Sequence, residues 1–284
     1  MNTATIRAVI GGTLLMASSL VSASAAQPLP VPPEYPNSQR ISVERQGAGT
    51  DVILIPGLAS SRDVWADLSA KLRKNHRIHL IELAGFASTP AIANPDGKIM
   101  APAVDAIAAY IHGQHIKGPA IIGHSLGGEM ALMLAARHPD LVGRVMVVDA
   151  LPFYSLMFNP AATSETVAPQ ATATRNLILG QSLEQFSEFQ KASIARLAKI
   201  EAVRPALVAA GIHSDRKTIA DAVYEVMITD LRSELGSIKA PIEVVYAMTR
   251  YSAYQQPAWM RCTVKPMLLH PISTSHGSMT VFTL

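Results

Sequence analysis

Gly123-His124-Ser125-Leu126-Gly127-Gly128 is the stretch whose reading decides the fold. It lies between an apolar, strand-like run, Pro119 to Ile122, and a helix-like run, Glu129 to Arg137. A serine with glycines two positions before and two positions after it fits a sharp turn from strand into helix. The backbone at such a serine is strained, and side chains at the flanking positions would collide in so tight a turn. The same turn puts the serine at the start of the next helix, where the dipole favours negative charge.

Outward from this turn, short apolar runs alternate with helical patterns. Asp51 to Ile55 (ended by Pro56-Gly57), Arg77 to Leu83, Ala120 to Ile122, Val145 to Asp149 and Pro241 to Ala247 read as buried strands. Val64 to Lys74, Ala101 to His112 and Glu129 to His138 read as helices between them. Lys71, Arg73 and Lys74 suit a helix C-terminus, where cations offset the dipole. The alternation predicts an α/β fold: a doubly wound, mainly parallel sheet with flanking helices. Such sheets bind ligands at the carboxyl ends of their strands, where Leu58, Ser125 and Asp149 fall.

Residues 151–236 break the alternation. Ser182-Leu183-Glu184-Gln185 is a capping box, followed by Leu183, Phe186, Phe189, Ile194, Leu197 and Ile200 at near-helical spacing. Asp215 to Val226 reads as a further helix. The segment is expected to be a helical lid inserted between two strands, its apolar stripe covering something below. The expected core is then 46–150 plus 237–247.

At the N-terminus, Arg7, the apolar run Ala8 to Leu20 and Ala23-Ser24-Ala25 have the layout of a signal peptide over 1–25. The apolar run is too short to span a bilayer. Export to the periplasm or medium is the expectation, with 26–45 as an extended leader carrying five prolines between Pro28 and Pro36. The 284 residues are 49% hydrophobic, enough for a sizeable core. The net charge of +3 is scattered, with no dense basic block, so nucleic acid is not an expected partner. The single cysteine, Cys262, excludes an internal disulfide. His112 and His115 sit three apart at a helix end without nearby carboxylate or cysteine, and read as a solvated terminus rather than a metal pair.

With Ile55-Pro56-Gly57-Leu58, the turn at Ser125, and Thr229-Asp230-Leu231-Arg232 through the late strand Pro241 to Ala247 in place, the chain resembles the α/β-hydrolase fold family over roughly Gln46 to Ala247. The resemblance implies that the Gly-x-Ser-x-Gly turn is a nucleophile elbow and Ser125 the nucleophile. It implies an oxyanion hole from the backbone N–H groups of Leu126 and Leu58, each such donor being worth roughly 3 kcal/mol in the transition state. A serine there points to acyl chemistry on esters, thioesters or amides, with a small acyl compound as substrate and neither cofactor nor metal. Acyltransferase or thioesterase activity is the nearest alternative. His124, inside the elbow, reads as a supporting residue.

The family's order is Ser, then acid, then His. Residues 248–284 hold no Asp or Glu, where the density of the first 247 residues would place about three. No strand-plus-helix pattern is read there, and a terminal strand and helix are expected to be missing, which would bare a sheet edge. One explanation is a shifted reading frame. If each codon starts on the third base of the preceding one, Met248-Thr249, Trp259-Met260 and Met279-Thr280 must each encode aspartate, and Phe282-Thr283 histidine or tyrosine. If the tail is genuine, Asp149, His270 and His276 are the substitutes for the acid and base. The chain is thus expected to be an exported serine hydrolase, or else a catalytically impaired relative of one. Nothing in the sequence bears on oligomeric state.

Overall fold

The computed structural model describes residues 38–93, 96–248, 268–274 and 277–283. The expected signal peptide lies outside them. So do residues 26–37 of the leader and most of the tail.

Five parallel strands form the centre of the sheet: β2 (Thr50–Ile55), β3 (His76–Leu83), β4 (Ala120–His124), β5 (Arg144–Val148) and β6 (Ile242–Met248). Each matches an expected run to within two residues at either end. These strands are apolar on both faces because both faces are covered. Ile53, Ile55, Ile81, Leu83 and Ile121 join a core with α2 (Met100–Gly113) and α3 (Leu126–Arg137). Val52, Leu54, Ile78 and Leu80 face the other way, onto Trp65, Leu68 and Leu72 at and within α1 (Ala66–Leu72). α3 is buried from Leu126 to Ala136, so it runs through the interior rather than along the surface.

With β1 (Ile41–Gly47) at one edge and β8 (Gly277–Thr283) and β7 (Leu268–Thr274) at the other, the strand order is β1-β3-β2-β4-β5-β6-β8-β7. After β2 the chain first goes to β3 on one side and then crosses to β4 on the other. The reversal between β2 and β4 opens a crevice at their carboxyl ends. Leu58 follows β2 and Ser125 follows β4, so both sit at that crevice.

Two expectations are corrected at the sheet edges. The core begins at Ile41, not at 46: β1 (Ile41–Gly47) pairs antiparallel with β3, and Ile41 and Val43 are buried. Its short amphipathic alternation, Ile41-x-Val43, is hard to tell from the proline-rich leader beside it. At the far edge β6 is not bare. β8 (Gly277–Thr283) pairs antiparallel with it, and β7 (Leu268–Thr274) pairs antiparallel with β8. A hairpin therefore takes the place expected for a parallel strand and helix, and among the described residues no helix follows β6. Pro271 lies in β7, the outermost strand, where a missing N–H is tolerated.

Between β5 and β6 the chain is helical: α4 (Ser164–Gly180), α5 (Leu183–Leu197), α6 (Arg204–Ile212) and α7 (Arg216–Ile228). The Ser182–Gln185 capping box forms, and Asp215 caps α7 by accepting from the Thr218 N–H at 2.7 Å. α4 and α6 are additional to the two helices expected in this segment. α4 carries few apolar residues and a proline, Pro169, in its first turns. α4 is held on α7 by Arg175, which meets the buried Asp221 at 2.6 Å. The insertion enters and leaves at one place: the Leu231 N–H bonds Pro152 O at 2.8 Å, and Ser155 and Ser164 hydroxyls bond Met227 O and Ile228 O.

Most of the α5 stripe is left uncovered. Phe186 is buried, but Leu183 is 76% and Leu197 79% exposed, and Ile200 beyond the helix is also exposed. The contact of α5 with α6 runs instead through Gln190 against Gly211, where a Cβ would lie 2.8 Å from the Gln190 side chain. Among the described residues no helix is long and apolar enough to cross a membrane.

Candidate active site

Ser125 has φ 53° and ψ −122°, between the end of β4 and the first residue of α3. A non-glycine residue in this region carries strain that its surroundings must hold. They do so with backbone bonds: the Ser125 N–H donates to Val148 O of β5 at 2.9 Å, and Ser125 O accepts from the N–H groups of Gly128 (2.7 Å) and Glu129 (3.1 Å). The side chain of Ser125 is half-buried at the crevice.

The glycines explain how the turn closes. A Cβ on Gly123 would lie 2.0 Å from Gly127 O, so the strand and the helix start touch through bare backbone. A Cβ on Gly127 would lie 2.4 Å from Ile55 O and 2.5 Å from Pro56 O, so the helix start also packs directly on the end of β2. Gly57 completes the set. Its Cβ would lie 3.0 Å from His124 Nδ1 and 3.4 Å from Ser125 Cβ. The loop carrying Leu58 therefore runs against the serine. Leu126 is at the first helical position, where an N–H has no acceptor within the helix.

Asp149 directly follows β5 with φ 48°, and its N–H donates to Val245 O at 2.9 Å. It comes close enough to His124 to be felt electrostatically. Burial lowers the His124 pKa below the usual histidine value, and the Asp149 charge opposes this. His124, Ser125 and Asp149 are thus gathered at the ends of β4 and β5.

His270 is not gathered with them. The register puts His124, Val148, Val245, Val281 and His270 in one row across β4, β5, β6, β8 and β7. Four strand spacings separate the two histidine backbones, about 19 Å. His276 lies outside the described residues. Among the described residues no three of His, Cys, Asp and Glu are grouped to hold a metal ion.

A residue that sequence reasoning passed over is Glu129, one turn after Ser125 in α3. It is 2% exposed; one carboxyl oxygen has no partner among the described residues, and the Tyr154 N–H bonds the carboxyl. Burial pushes its pKa well above the usual carboxylate range, and the same burial with the Glu129 charge raises Tyr154. It links the elbow helix to the short helical turn Tyr154–Met157, where the insertion begins. The only sequence cue was a carboxylate inside an otherwise apolar helix.

A pimeloyl-[acyl-carrier protein] methyl ester esterase of Aeromonas hydrophila is 28% identical over 217 residues, covering 72% of this chain and 79% of that protein. One of Chromobacterium violaceum is 29% identical over 208 residues, covering 72% and 77%. The crystal structure of a hydrolase from Pseudomonas aeruginosa PA01 superposes with TM-score 0.60 at 19% identity, over 71% of this chain and 74% of that one, and speaks for the fold. The family described as alpha/beta hydrolase fold matches residues 51–249, from β2 to the end of β6. The chain belongs to the α/β-hydrolase fold family.

Proposed function

We propose that the chain is a serine ester hydrolase. Ser125 Oγ attacks the acyl carbon, the ester C–O bond breaks and the alcohol leaves carrying the proton lost by the serine; water then cleaves the acyl-enzyme, releasing the acid and restoring the serine hydroxyl. The Leu58 and Leu126 N–H groups hold the oxyanion, and the helices of residues 151–236 act as a lid over an apolar acyl site. The observation that carries this reading is the close approach of the Gly57 backbone to a strained serine at a helix start. The relatives, named as methyl ester esterases, make an alkyl ester with a small alcohol leaving group the favoured substrate class. Residues 1–25 are proposed to direct export.

The test is labelling by a fluorophosphonate probe together with hydrolysis of short-chain p-nitrophenyl esters. Labelling that is lost in Ser125→Ala supports the assignment. Labelling that persists in that variant overturns it.

A second reading is favoured by two observations: the family match ends at residue 249, and His270 lies four strands from Ser125. On this reading the fold is intact, residues 248–284 come from a shifted frame, and the serine lacks its base. A serine without its base loses about 10⁴ to 10⁶ in rate. Folded protein that does not label, with a gene whose overlapping frame encodes an acid and a histidine, is the outcome expected of it.

A further inference from the structure

We propose that Glu82 is a positioning residue for this site: through Arg62 it holds the 56–61 loop so that the Leu58 N–H stays aimed at the Ser125 reaction centre. The proposal rests on the reading of Ser125 and Leu58 given above.

The loop is held firmly at its start and strained in its middle. Ile55 O at the end of β2 and Pro56 O, the loop's first carbonyl, pack on the backbone at Gly127, and Gly57 packs on Ser125. Ala59 then takes φ 53°, a left-handed conformation unfavourable for a residue with a Cβ. The bonds inside the loop are local and long: the Ser60 N–H to Gly57 O at 3.3 Å, and the Ser60 hydroxyl to Leu58 O at 3.2 Å. A strained loop keeps its shape only if both ends are fixed.

Glu82 fixes the far end. Its Oε2 accepts from the Arg62 backbone N–H at 3.1 Å and from Arg62 Nε at 3.1 Å, so one oxygen grips both main chain and side chain of the same residue. Arg62 is steadied in turn by the Ser42 hydroxyl and by Glu44 Oε2 at 3.8 Å. Glu82 is in register with Ser42 across the β1–β3 pair, so the whole clamp is mounted on the sheet.

The choice of residue supports this. Ile78 and Leu80, on the same face of β3, fill the α1-side core. A residue with only that task would also be apolar. Glu82 is instead a carboxylate, 7% exposed, with Oε1 buried and unpartnered among the described residues. Burial raises its pKa, with the Arg62 bonds acting against it. Oxyanion donors act over 2.7–3.1 Å, and a misplacement of about 1 Å costs on the order of a hundredfold in rate.

The experiment compares the full chain with its Glu82→Ala and Glu82→Gln variants. It reads p-nitrophenyl ester kinetics and amide hydrogen exchange. Glu82→Ala should lower kcat about 10- to 100-fold with KM within about twofold, and exchange in residues 56–62 should quicken about tenfold while α3 is unchanged. Glu82→Gln keeps an acceptor for the Arg62 N–H and should recover most of both. Unchanged kcat in an active enzyme overturns the proposal, and so does exchange that rises uniformly over the molecule. If the parent chain neither hydrolyses the esters nor labels at Ser125, the catalytic reading fails on its own. The exchange data then decide the clamp: quickening confined to 56–62 supports it, and no change there overturns it.

Discussion

A methyl group on Gly127 would meet two carbonyl oxygens at 2.4 and 2.5 Å, and both belong to backbone that has nowhere to go. Gly127→Ala should therefore destabilise the fold by about 2 kcal/mol or more, seen as a lower urea midpoint. Gly57→Ala differs, because the atom it meets at 3.0 Å is the His124 ring, which can turn aside. That variant should keep its melting temperature within a few degrees yet lose about tenfold or more in probe labelling. Equal stability of the two variants would count against the packing described for the elbow. Glu129 makes a pH prediction. Its folded-state pKa is raised above the unfolded value, so the folded chain binds more protons than the unfolded one, and stability falls as pH rises through the folded pKa. Glu129→Gln, neutral and similar in shape, should gain on the parent from about pH 5 upward, by at most ~1.4 kcal/mol per pH unit. Urea midpoints across pH check this; parallel profiles would show that Glu129 does not titrate differently on unfolding.

Among the elements, the strands buried on both faces are legible as continuous apolar runs, α5 through its capping box at Ser182, and α7 through the helical pattern of Asp215 to Val226. β1 and α4 are not, because each takes its apolar partners from distant chain: β1 from β3, and α4 from α7. One of the contacts that tie the insertion to the core was equally hidden. Glu225 of α7 accepts from the Ile99 and Met100 N–H groups at 2.6 and 2.8 Å, satisfying two orphan donors at the start of α2 from 125 residues away. Burial raises the Glu225 pKa and these two donors oppose the rise. Glu225→Ala should cost about 1–3 kcal/mol, with Glu225→Gln recovering part of it. Faster hydrogen exchange at the start of α2 in the alanine variant would locate the loss.

Across the whole molecule, the decisive contact is at the sheet edge. β8 lies along β6 from Glu243 to Met248 and spares that strand an open row of N–H and C=O groups. Ending the chain after Met248 should expose it, and size-exclusion chromatography should then show oligomers or aggregates where the full chain elutes sharply. A monodisperse truncated protein would mean that the hairpin is dispensable. The Ser125 elbow, the parallel centre of the sheet and the strand ends that face the crevice follow from local sequence, since glycine spacing and apolar runs act between neighbours in the chain. The edges of the sheet, the orphan-capping Glu225, the Glu82 grip on the Leu58 loop and the buried Glu129 were settled only by the tertiary structure. Each depends on a polar or strand partner tens of residues away or more, and no periodicity along the chain records what such a residue will meet.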